Sequence, residues 1–254
     1  MEYIVSKAPF MRSNNNKQKI LITTLIMLIP FLIYRFLINC LNSIIIFLIL
    51  FVTTLIINFV FKYISKKNQD INYYVCLIYS IITTFILPVN TSYLLLFFIN
   101  MIVILLSKFY RQINIYLVTT VIIYFTILLT NDSLVFLNYN IYIFAIFLII
   151  SIITLINTRA IKFRITLSFL VLFIIKLILT NTLVPVDYIL LFSSIFVIPE
   201  FKSTPNPAFV QIIFGCVIGL LSLFFNIEIL FISVIILNII FKYISQIYSY
   251  YLVK

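Results

Sequence analysis

The sequence offers few side chains that could carry out chemistry by themselves. It contains no histidine, which removes the commonest general base and the commonest ligand for catalytic zinc or haem. The three cysteines, Cys40, Cys76 and Cys216, are far apart and form no C-x-x-C pair, so we expect each to be a small buried side chain. The residues alone therefore predict neither a catalytic group nor a metal site.

The elements that carry these residues are predicted to be membrane helices. Of the 254 residues, 65% are hydrophobic and 9% are charged, and the mean hydropathy is +1.27. A soluble domain of this length needs a more polar exterior. The apolar runs are unbroken and about as long as the ~20 residues that cross a bilayer as a helix, whereas barrel strands alternate in polarity. The sequence therefore predicts an all-α integral membrane protein.

We predict ten transmembrane helices in a single transmembrane domain, 1–254. Residues 1–19 form a cytoplasmic tail, 20–248 the membrane helices and 249–254 a cytoplasmic end. The eighth span is short, so we expect it to be tilted, to start earlier or to break at Pro199. The predicted spans are Ile20–Ile38, Ser43–Phe61, Tyr73–Val89, Ser92–Ser107, Ile115–Thr130, Val135–Ile156, Ile165–Asn181, Tyr188–Ile198, Ala208–Phe225 and Ile229–Tyr248.

The formal charge of +11 follows the predicted topology. All but two of the 17 basic residues fall in the N-terminal tail, at the C-terminal end or in the connections after even-numbered spans; the exceptions are Arg35 and Lys176. Under the positive-inside rule this side is cytoplasmic, so the charge requires no nucleic-acid partner. Lys176 lies near its helix end, and we expect its stem to snorkel to the outer interface rather than to carry a functional charge.

The acidic residues give no sign of an ion path through the membrane. Asp132, Asp187 and Glu228 fall in the connections on the predicted outer side, and none lies in the middle of a span. A proton or cation path along buried carboxylates is therefore not visible in the sequence.

The two halves of the chain resemble each other. Spans three to five contain N-Y-Y-V-C-L-I-Y-S, L-P-V-N and L-L-S, and spans eight to ten contain V-D-Y-I-L-L-F-S-S, I-P-E-F and L-L-S in the same order. Because span three starts inside and span eight outside, this pattern predicts an inverted five-helix repeat, an arrangement common in transporters. The alternative is two apolar stretches of similar composition.

The connection between spans eight and nine is rich in prolines and leads into the two glycines of the sequence. Gly215 and Gly219 are four residues apart, which gives one helix a smooth face for close packing. The loop residues that precede them could line a cytoplasmic site for a cofactor or a partner. Equally, Pro199, Pro205 and Pro207 could simply end one helix and begin the next.

This late segment and the Ser6–Ser13 stretch (S-K-A-P-F-M-R-S) resemble the NqrB/RnfD family, the flavin-carrying membrane subunits of ion-translocating oxidoreductases. Phe85-Ile86-Leu87-Pro88 is similar to the family's L-x-L-P-P segment. The resemblance implies ten helices, cytoplasmic termini, a bacterial cell membrane and a flavin site. The residues that fall on the family's late pattern without a gap, and that it implies for cofactor binding or helix packing, are Glu200, Ser203, Thr204, Pro205, Gln211, Gly215 and Gly219.

The sequence departs from the family at the flavin attachment motif. The family binds FMN covalently through the threonine of an outer-loop S-G-A-T motif, which is absent here. The short connection after span five offers Thr130, which we interpret as an ordinary interfacial threonine. The G-x-G-x-N-x-F-N-P-A run of the family is replaced by R-Q-I-N-I-Y at 111–116. We therefore predict FMN or riboflavin held without a covalent bond, and no covalent FMN.

The resemblance implies a membrane subunit of an electron transport complex that aids flavin-dependent, ion-coupled electron transfer. The implied partners are membrane lipid, other subunits of the complex and an FMN-binding protein. Two alternatives from other classes stay open. The inverted repeat and the lack of catalytic residues favour a permease component for a flavin or vitamin-like solute, and the missing motifs favour a structural anchor without redox activity.

Overall fold

The computed structural model describes residues 14–65, 73–109, 114–129, 133–157, 162–180, 184–199 and 204–253. These described residues form ten helices, and all of their regular secondary structure is helical, which confirms the predicted fold class. The helices are α1 (Asn14–Ile38), α2 (Cys40–Ser65), α3 (Tyr73–Ile86), α4 (Tyr93–Phe109), α5 (Ile115–Leu129), α6 (Ile141–Asn157), α7 (Phe163–Thr180), α8 (Pro185–Phe196), α9 (Ala208–Phe224) and α10 (Ile227–Val253).

Within these ranges, four helices are both long and apolar enough to cross a membrane on length and composition, namely α1, α2, α7 and α10. The remaining six are shorter apolar helices. The eighth helix starts earlier than predicted, at Pro185, where proline suits the first helical position. One carboxylate oxygen of Asp187 accepts a hydrogen bond from the Val184 backbone N–H at 2.9 Å, which caps this start.

The helices pack in a pattern that repeats between the two halves of the chain. Helix α1 packs on α3 as α6 packs on α8, α2 packs on α4 as α7 packs on α9, and α4 packs on α5 as α9 packs on α10. Between the halves, the contacting pairs are α1 with α6, α3 with α8 and α5 with α10. Each of these pairs joins helices at equivalent positions, as a pseudo-two-fold axis between the halves requires. The packing therefore supports the predicted inverted repeat.

Aromatic side chains fill the contacts of α1 with α6 and of α3 with α8 between the halves. Phe85 of α3 stacks on Phe192 of α8 with ring centroids 4.1 Å apart. Phe31 of α1 meets Phe144 of α6 edge-on at 5.6 Å, and also contacts Phe192 at 5.2 Å. These four rings are almost completely buried. Offset and edge-to-face pairs stabilise such a core beyond its apolar area, so the two halves are joined through one aromatic cluster.

The N-terminal half is also held together by a buried network of hydrogen bonds between side chains of four helices. The Tyr79 hydroxyl of α3 donates to Asn100 Oδ1 of α4 at 2.5 Å and lies 2.8 Å from Thr119 Oγ1 of α5. Asn100 Nδ2 in turn donates to Thr53 Oγ1 of α2. Polar side chains that bond across helices stabilise helix association in an apolar environment. Helices α2 to α5 are therefore tied to one another through Asn100 and Tyr79.

We call the end of the bundle that carries the connections after α1, α3, α5, α7 and α9 the odd face, and the opposite end the even face. At the odd face, the last carbonyl groups of α3 are left without helical partners, because the chain turns at Pro88. Arg35 Nη1 donates to the Phe85 carbonyl at 2.5 Å and Nη2 to the Leu87 carbonyl at 2.7 Å. The Tyr124 hydroxyl donates to the Ile86 carbonyl at 2.8 Å. Side chains from α1 and α5 thus cap the end of α3.

The connections at the odd face are joined to each other as well. The Val89 N–H donates to the Val135 carbonyl at 2.8 Å, and Asn90 Nδ2 donates to the Ser133 carbonyl at 2.9 Å. The segment after α5 is thereby held against the segment after α3. This fixes one wall of the cavity described below.

Replacing Arg35 tests the capping interaction. Arg35→Met leaves the Phe85 and Leu87 carbonyls buried without donors, and each orphaned acceptor costs about 1–3 kcal/mol. We expect the midpoint of thermal unfolding of the purified protein in detergent to fall by several degrees. Arg35→Lys keeps a donor but loses the two-pronged geometry, so its midpoint should lie between those of the wild type and Arg35→Met.

The matched control is Leu37→Met, which lies two residues away on the exposed side of α1 (78% exposed) and should leave the midpoint unchanged. An unchanged midpoint for Arg35→Met would show that the cap of α3 does not support the fold.

Candidate functional site

The late loop that the sequence singled out lies at the even face. Glu200 and Ser203 lie outside the described residues, whereas Thr204 and Pro205 are buried just before α9. Gln211, in the first turns of α9, donates from Nε2 to the Asn206 carbonyl at 2.8 Å and to the Pro205 carbonyl at 3.3 Å. Thr204, Pro205 and Gln211 therefore lie together, but the Gln211 amide is used in hydrogen bonds to the backbone of the same loop.

Lys162 binds the same loop from the start of α7. This residue, which the sequence showed only as one of the cytoplasmic charges, is 8% exposed. Its Nζ donates to the Thr204 carbonyl at 2.8 Å, the Pro205 carbonyl at 3.1 Å and Asn206 Oδ1 at 3.1 Å. The backbone oxygens of Thr204 and Pro205 are thus occupied by Lys162 and Gln211. The described part of the loop has the geometry of a helix start that is fastened to α7.

The two glycines lie where α9 crosses α7. A Cβ atom on Gly215 would stand 2.5 Å from the Ile165 carbonyl oxygen and closer still to Ser168 Oγ. A Cβ atom on Gly219 would meet the side chain of Leu172 at 2.9 Å. Any side chain at Gly215 would therefore collide with the backbone of α7, whereas one at Gly219 would collide with Cβ and Cδ1 of Leu172. The G-x-x-x-G spacing gives the closest helix approach in the C-terminal half.

A cavity of about 500 Å³ opens at the odd face. It lies between the end of α5, the following segment, the end of α7, the start of α8 and the connection from α9 to α10. We call it the odd-face cavity. Its described lining is Leu128, Ser133, Leu134, Phe136, Lys176, Thr180, Val184, Val186, Asp187, Leu190, Phe225, Asn226, Ile227 and Glu228. The cavity has the size and the mixed apolar and polar lining of a small-molecule site.

An ion pair forms part of its wall. Lys176 Nζ lies 2.8 Å from Asp187 Oδ1, with the Lys176 side chain 19% exposed and the Asp187 side chain 4% exposed. Lys176 Nζ also lies 5.5 Å from the centroid of the Phe173 ring. This ion pair is compatible with the expected snorkelling of the Lys176 stem, because Asp187 lies in the first turn of α8 at the same face. The ammonium group of Lys176 is held by Asp187, since a mostly desolvated charge needs an opposite charge nearby.

The sequence contained a signal for this pair that the prediction did not use. Asp187 follows Pro185 at a helix start, so its carboxylate must face the end of α8 that meets the odd face. Lys176 is one of only two basic residues placed on that side by the charge pattern. A single basic residue near several acidic residues of the same membrane face is expected to pair with one of them.

The odd-face cavity lies next to the end of α5 and the segment that begins at Ser133. Leu128 and Ser133 line the cavity and flank Thr130, which itself lies outside the described residues. Its described walls combine aromatic and aliphatic side chains with the polar groups of Lys176, Asp187 and Glu228.

Substitution of Gly215 tests the contact between α7 and α9. Gly215→Ala should lower the thermal unfolding midpoint, because the new methyl group must push α9 away from the backbone of α7, and overpacking of this kind costs about 1–3 kcal/mol. Gly219→Ala should have a smaller effect, since its new methyl group would meet Leu172 at 2.9 Å rather than backbone oxygen at 2.5 Å, although a rotamer change moves Leu172 Cδ1 but not Cβ. In the double variant Ser168→Ala/Gly215→Ala, part of the loss should be recovered because Oγ is removed. Equal midpoints for the two single variants would contradict this packing.

The comparison with known proteins agrees with the resemblance seen in the sequence. Residues 4–110 match the NQR2, RnfD, RnfE family. The matched stretch contains the Ser6–Ser13 element and the Phe85–Pro88 segment, together with α1 to α4, whereas the late segment with Gly215 and Gly219 lies outside it. No curated protein matches the chain. The predicted resemblance is thereby confirmed over residues 4–110, which are similar to the NQR2, RnfD, RnfE family.

Proposed function

We propose that the protein is the membrane subunit of an Rnf- or Nqr-type complex and that it takes part in electron transfer through a flavin bound without a covalent link. The observation that carries this proposal is the family match over residues 4–110. The ten-helix arrangement and the odd-face cavity support it.

The odd-face cavity is the site that we propose for the flavin. Its volume of about 500 Å³ falls within the range of sites for small ligands and cofactors. Phe136 and Phe225 offer aromatic surface for the ring system, while Asn226 and Ser133 offer uncharged polar groups. A flavin bound there would supply one- and two-electron redox chemistry, and the walls would hold the ring and exclude water from one side.

This placement moves the proposed cofactor away from the even-face loop that the sequence favoured. The carbonyl groups of Thr204 and Pro205 and the amide of Gln211 bind one another or Lys162, so they are already used in fastening the loop. The odd-face cavity, in contrast, borders the short connection that corresponds to the family's flavin loop. We therefore interpret the even-face loop as a structural element.

Partner subunits would supply the other redox centres. The chain has no histidine and three separated cysteines, so it lacks the ligand sets that hold haem or an iron–sulfur cluster. Electrons would therefore reach and leave the flavin through centres in neighbouring proteins. Because most basic residues lie on the even-face side, we expect the even face to be cytoplasmic and the odd face to lie outside the cytoplasm.

A blocking substitution tests the flavin site. Thr180 lines the cavity from the exposed end of α7, so Thr180→Trp should fill part of the cavity without disturbing the core. We expect the full chain in lipid nanodiscs to bind riboflavin, measured by quenching of flavin fluorescence, and Thr180→Trp to weaken binding at least about tenfold, which corresponds to about 1.4 kcal/mol.

The matched control is Leu179→Trp, which adds the same ring to the neighbouring residue. Leu179 is 73% exposed and does not line the cavity. Equal loss of binding in the two variants would point to a general effect of the tryptophan. Absence of flavin binding by the wild type, also when it is co-expressed with its neighbouring gene products, would defeat the redox role.

Transport of a flavin-like solute is a second candidate, favoured by the pairing of equivalent helices across the two halves. Uptake of riboflavin into proteoliposomes that contain only this chain distinguishes the two functions. The electron-transfer proposal predicts binding without accumulation in the vesicle lumen. Accumulation that is abolished by Thr180→Trp but not by Leu179→Trp would favour transport.

A further inference from the structure

Helices α1 and α2 meet at the odd face in a tight turn, which we call the α1–α2 corner. Asn39 is the one residue between the two helices, which end at Ile38 and begin at Cys40. Its N–H donates to the Arg35 carbonyl at 3.0 Å, and its carbonyl accepts the Ser43 N–H at 3.1 Å. Arg35 and Ser43 therefore lie one helical turn to either side of Asn39.

The α1–α2 corner has an exposed side and a buried side. Leu37 and Leu41 are 78% and 75% exposed, whereas Arg35 is 2% exposed and Ser43 is fully buried. Three donor atoms on the buried side make no hydrogen bond to the described part of the chain, namely Arg35 Nε, Asn39 Nδ2 and Ser43 Oγ. Buried polar groups of native proteins are nearly always hydrogen-bonded, so these donors point to a ligand that accepts hydrogen bonds.

The guanidinium of Arg35 also brings a positive charge that its neighbours do not neutralise. Its partners are the Phe85 and Leu87 carbonyl groups at the end of α3, where the helix dipole amounts to roughly half a negative charge. The positive end of the α2 dipole lies at the same corner and offsets this contribution. Among the described residues the one ion pair is Lys176–Asp187, so about one positive charge remains on the buried side of the corner.

Tyr139 adds a further polar group but no charge. Its ring stacks on Phe85 with centroids 5.1 Å apart, and its hydroxyl is buried without a hydrogen-bond partner in the part of the chain that the structure describes. A phenol can donate a hydrogen bond to an anion, but it cannot neutralise Arg35. The groups around Arg35 thus supply donors and a positive charge.

We propose that the buried side of the α1–α2 corner binds a halide-sized anion such as chloride, held by Arg35, Asn39 and Ser43. Water is a poorer match, because Arg35 Nε and Asn39 Nδ2 only donate, whereas a water molecule must also donate its own two hydrogens. A phosphate or a lipid headgroup would have to reach two side chains that are at most 2% exposed, which favours a single small ion. The N-terminus of α2 adds to the attraction, since helix starts favour anions.

This anion site is separate from the odd-face cavity, whose described lining contains none of these residues. The bound ion neutralises Arg35 and so supports the contact between α1, α2 and the end of α3. A ligand that binds the folded state raises the stability of the protein with its concentration. The ion is therefore expected to act as a structural ligand.

Thermal unfolding of the full chain in an uncharged detergent tests the site, with chloride exchanged for gluconate at constant ionic strength. We expect the midpoint of the wild type to rise by several degrees with chloride and to level off at saturation. Ser43→Ala removes one donor, so the chloride concentration that gives half of this rise should increase several-fold.

A carboxylate of the chain can also take the place of the anion. Asn39→Asp adds such a group next to Arg35, so its midpoint should no longer depend on chloride. The matched control is Cys40→Asp, which adds the same charge to the same helix start at an exposed residue and should keep the chloride dependence.

Equal midpoints of the wild type in chloride and in gluconate would overturn the inference and leave water as the partner of the buried donors. Full chloride dependence in Asn39→Asp would contradict the location of the site. Loss of the dependence in Cys40→Asp as well as in Asn39→Asp would show a general effect of charge at the start of α2 rather than a bound ion.

Discussion

The structure depends on the need to satisfy every backbone polar group inside an apolar environment. Most groups are satisfied within the helices, but each helix end exposes carbonyl or N–H groups that require other partners. At the end of α3, Arg35 and Tyr124 bind the last three carbonyl groups before Pro88. Helix α3 packs against α1, α2, α5 and α8, so the position of this helix end affects both halves of the bundle.

The same constraint explains the residues at the even face. Lys162 and Gln211 bind the carbonyl groups that precede α9, and Asn114 Nδ2 donates to the Val197 carbonyl just after α8 at 3.0 Å. Basic and amide side chains are suited to this task because they donate several hydrogen bonds and accept few. Arg35 and Lys162 therefore share one role at opposite faces: each is a buried cation that stabilises the backbone next to a proline.

The equivalent contacts of α2 with α4 and of α7 with α9 are formed by different interactions. Asn100 in α4 and Gly215 in α9 each stand seven residues before the serine of the matching L-L-S motifs. Asn100 bonds to Thr53 of α2 and holds the helices together by a hydrogen bond, whereas Gly215 lets α9 approach Ser168 and the backbone of α7. An interhelical hydrogen bond and close backbone packing are the two main ways of associating apolar helices. Divergence at this position shows how a repeat can lose its sequence similarity and keep its packing.

Much of the fold could be predicted from the sequence, because long apolar runs and the alternation of basic residues report directly on helices and connections. The contacts of single polar residues could not. Lys162 and Lys176 carry the same charge in similar positions near helix ends, yet one binds backbone carbonyls and the other binds a carboxylate. Their partners lie 42 and 11 residues away in the chain, and only the packing of the helices brings them together. The odd-face cavity was missed for the same reason, since five separate segments contribute to its wall.

The charge of that cavity follows from the topology of the chain. A membrane protein that keeps nearly all of its basic residues on one side leaves few to balance the acidic residues on the other side. Here the two basic residues on the odd-face side are both occupied, Arg35 by the carbonyl groups of α3 and Lys176 by Asp187. Glu228, which also lines the cavity, forms no ion pair with the basic residues that the structure describes. The rule that orients membrane proteins thereby also leaves the described lining of the odd-face cavity with more acidic than basic residues.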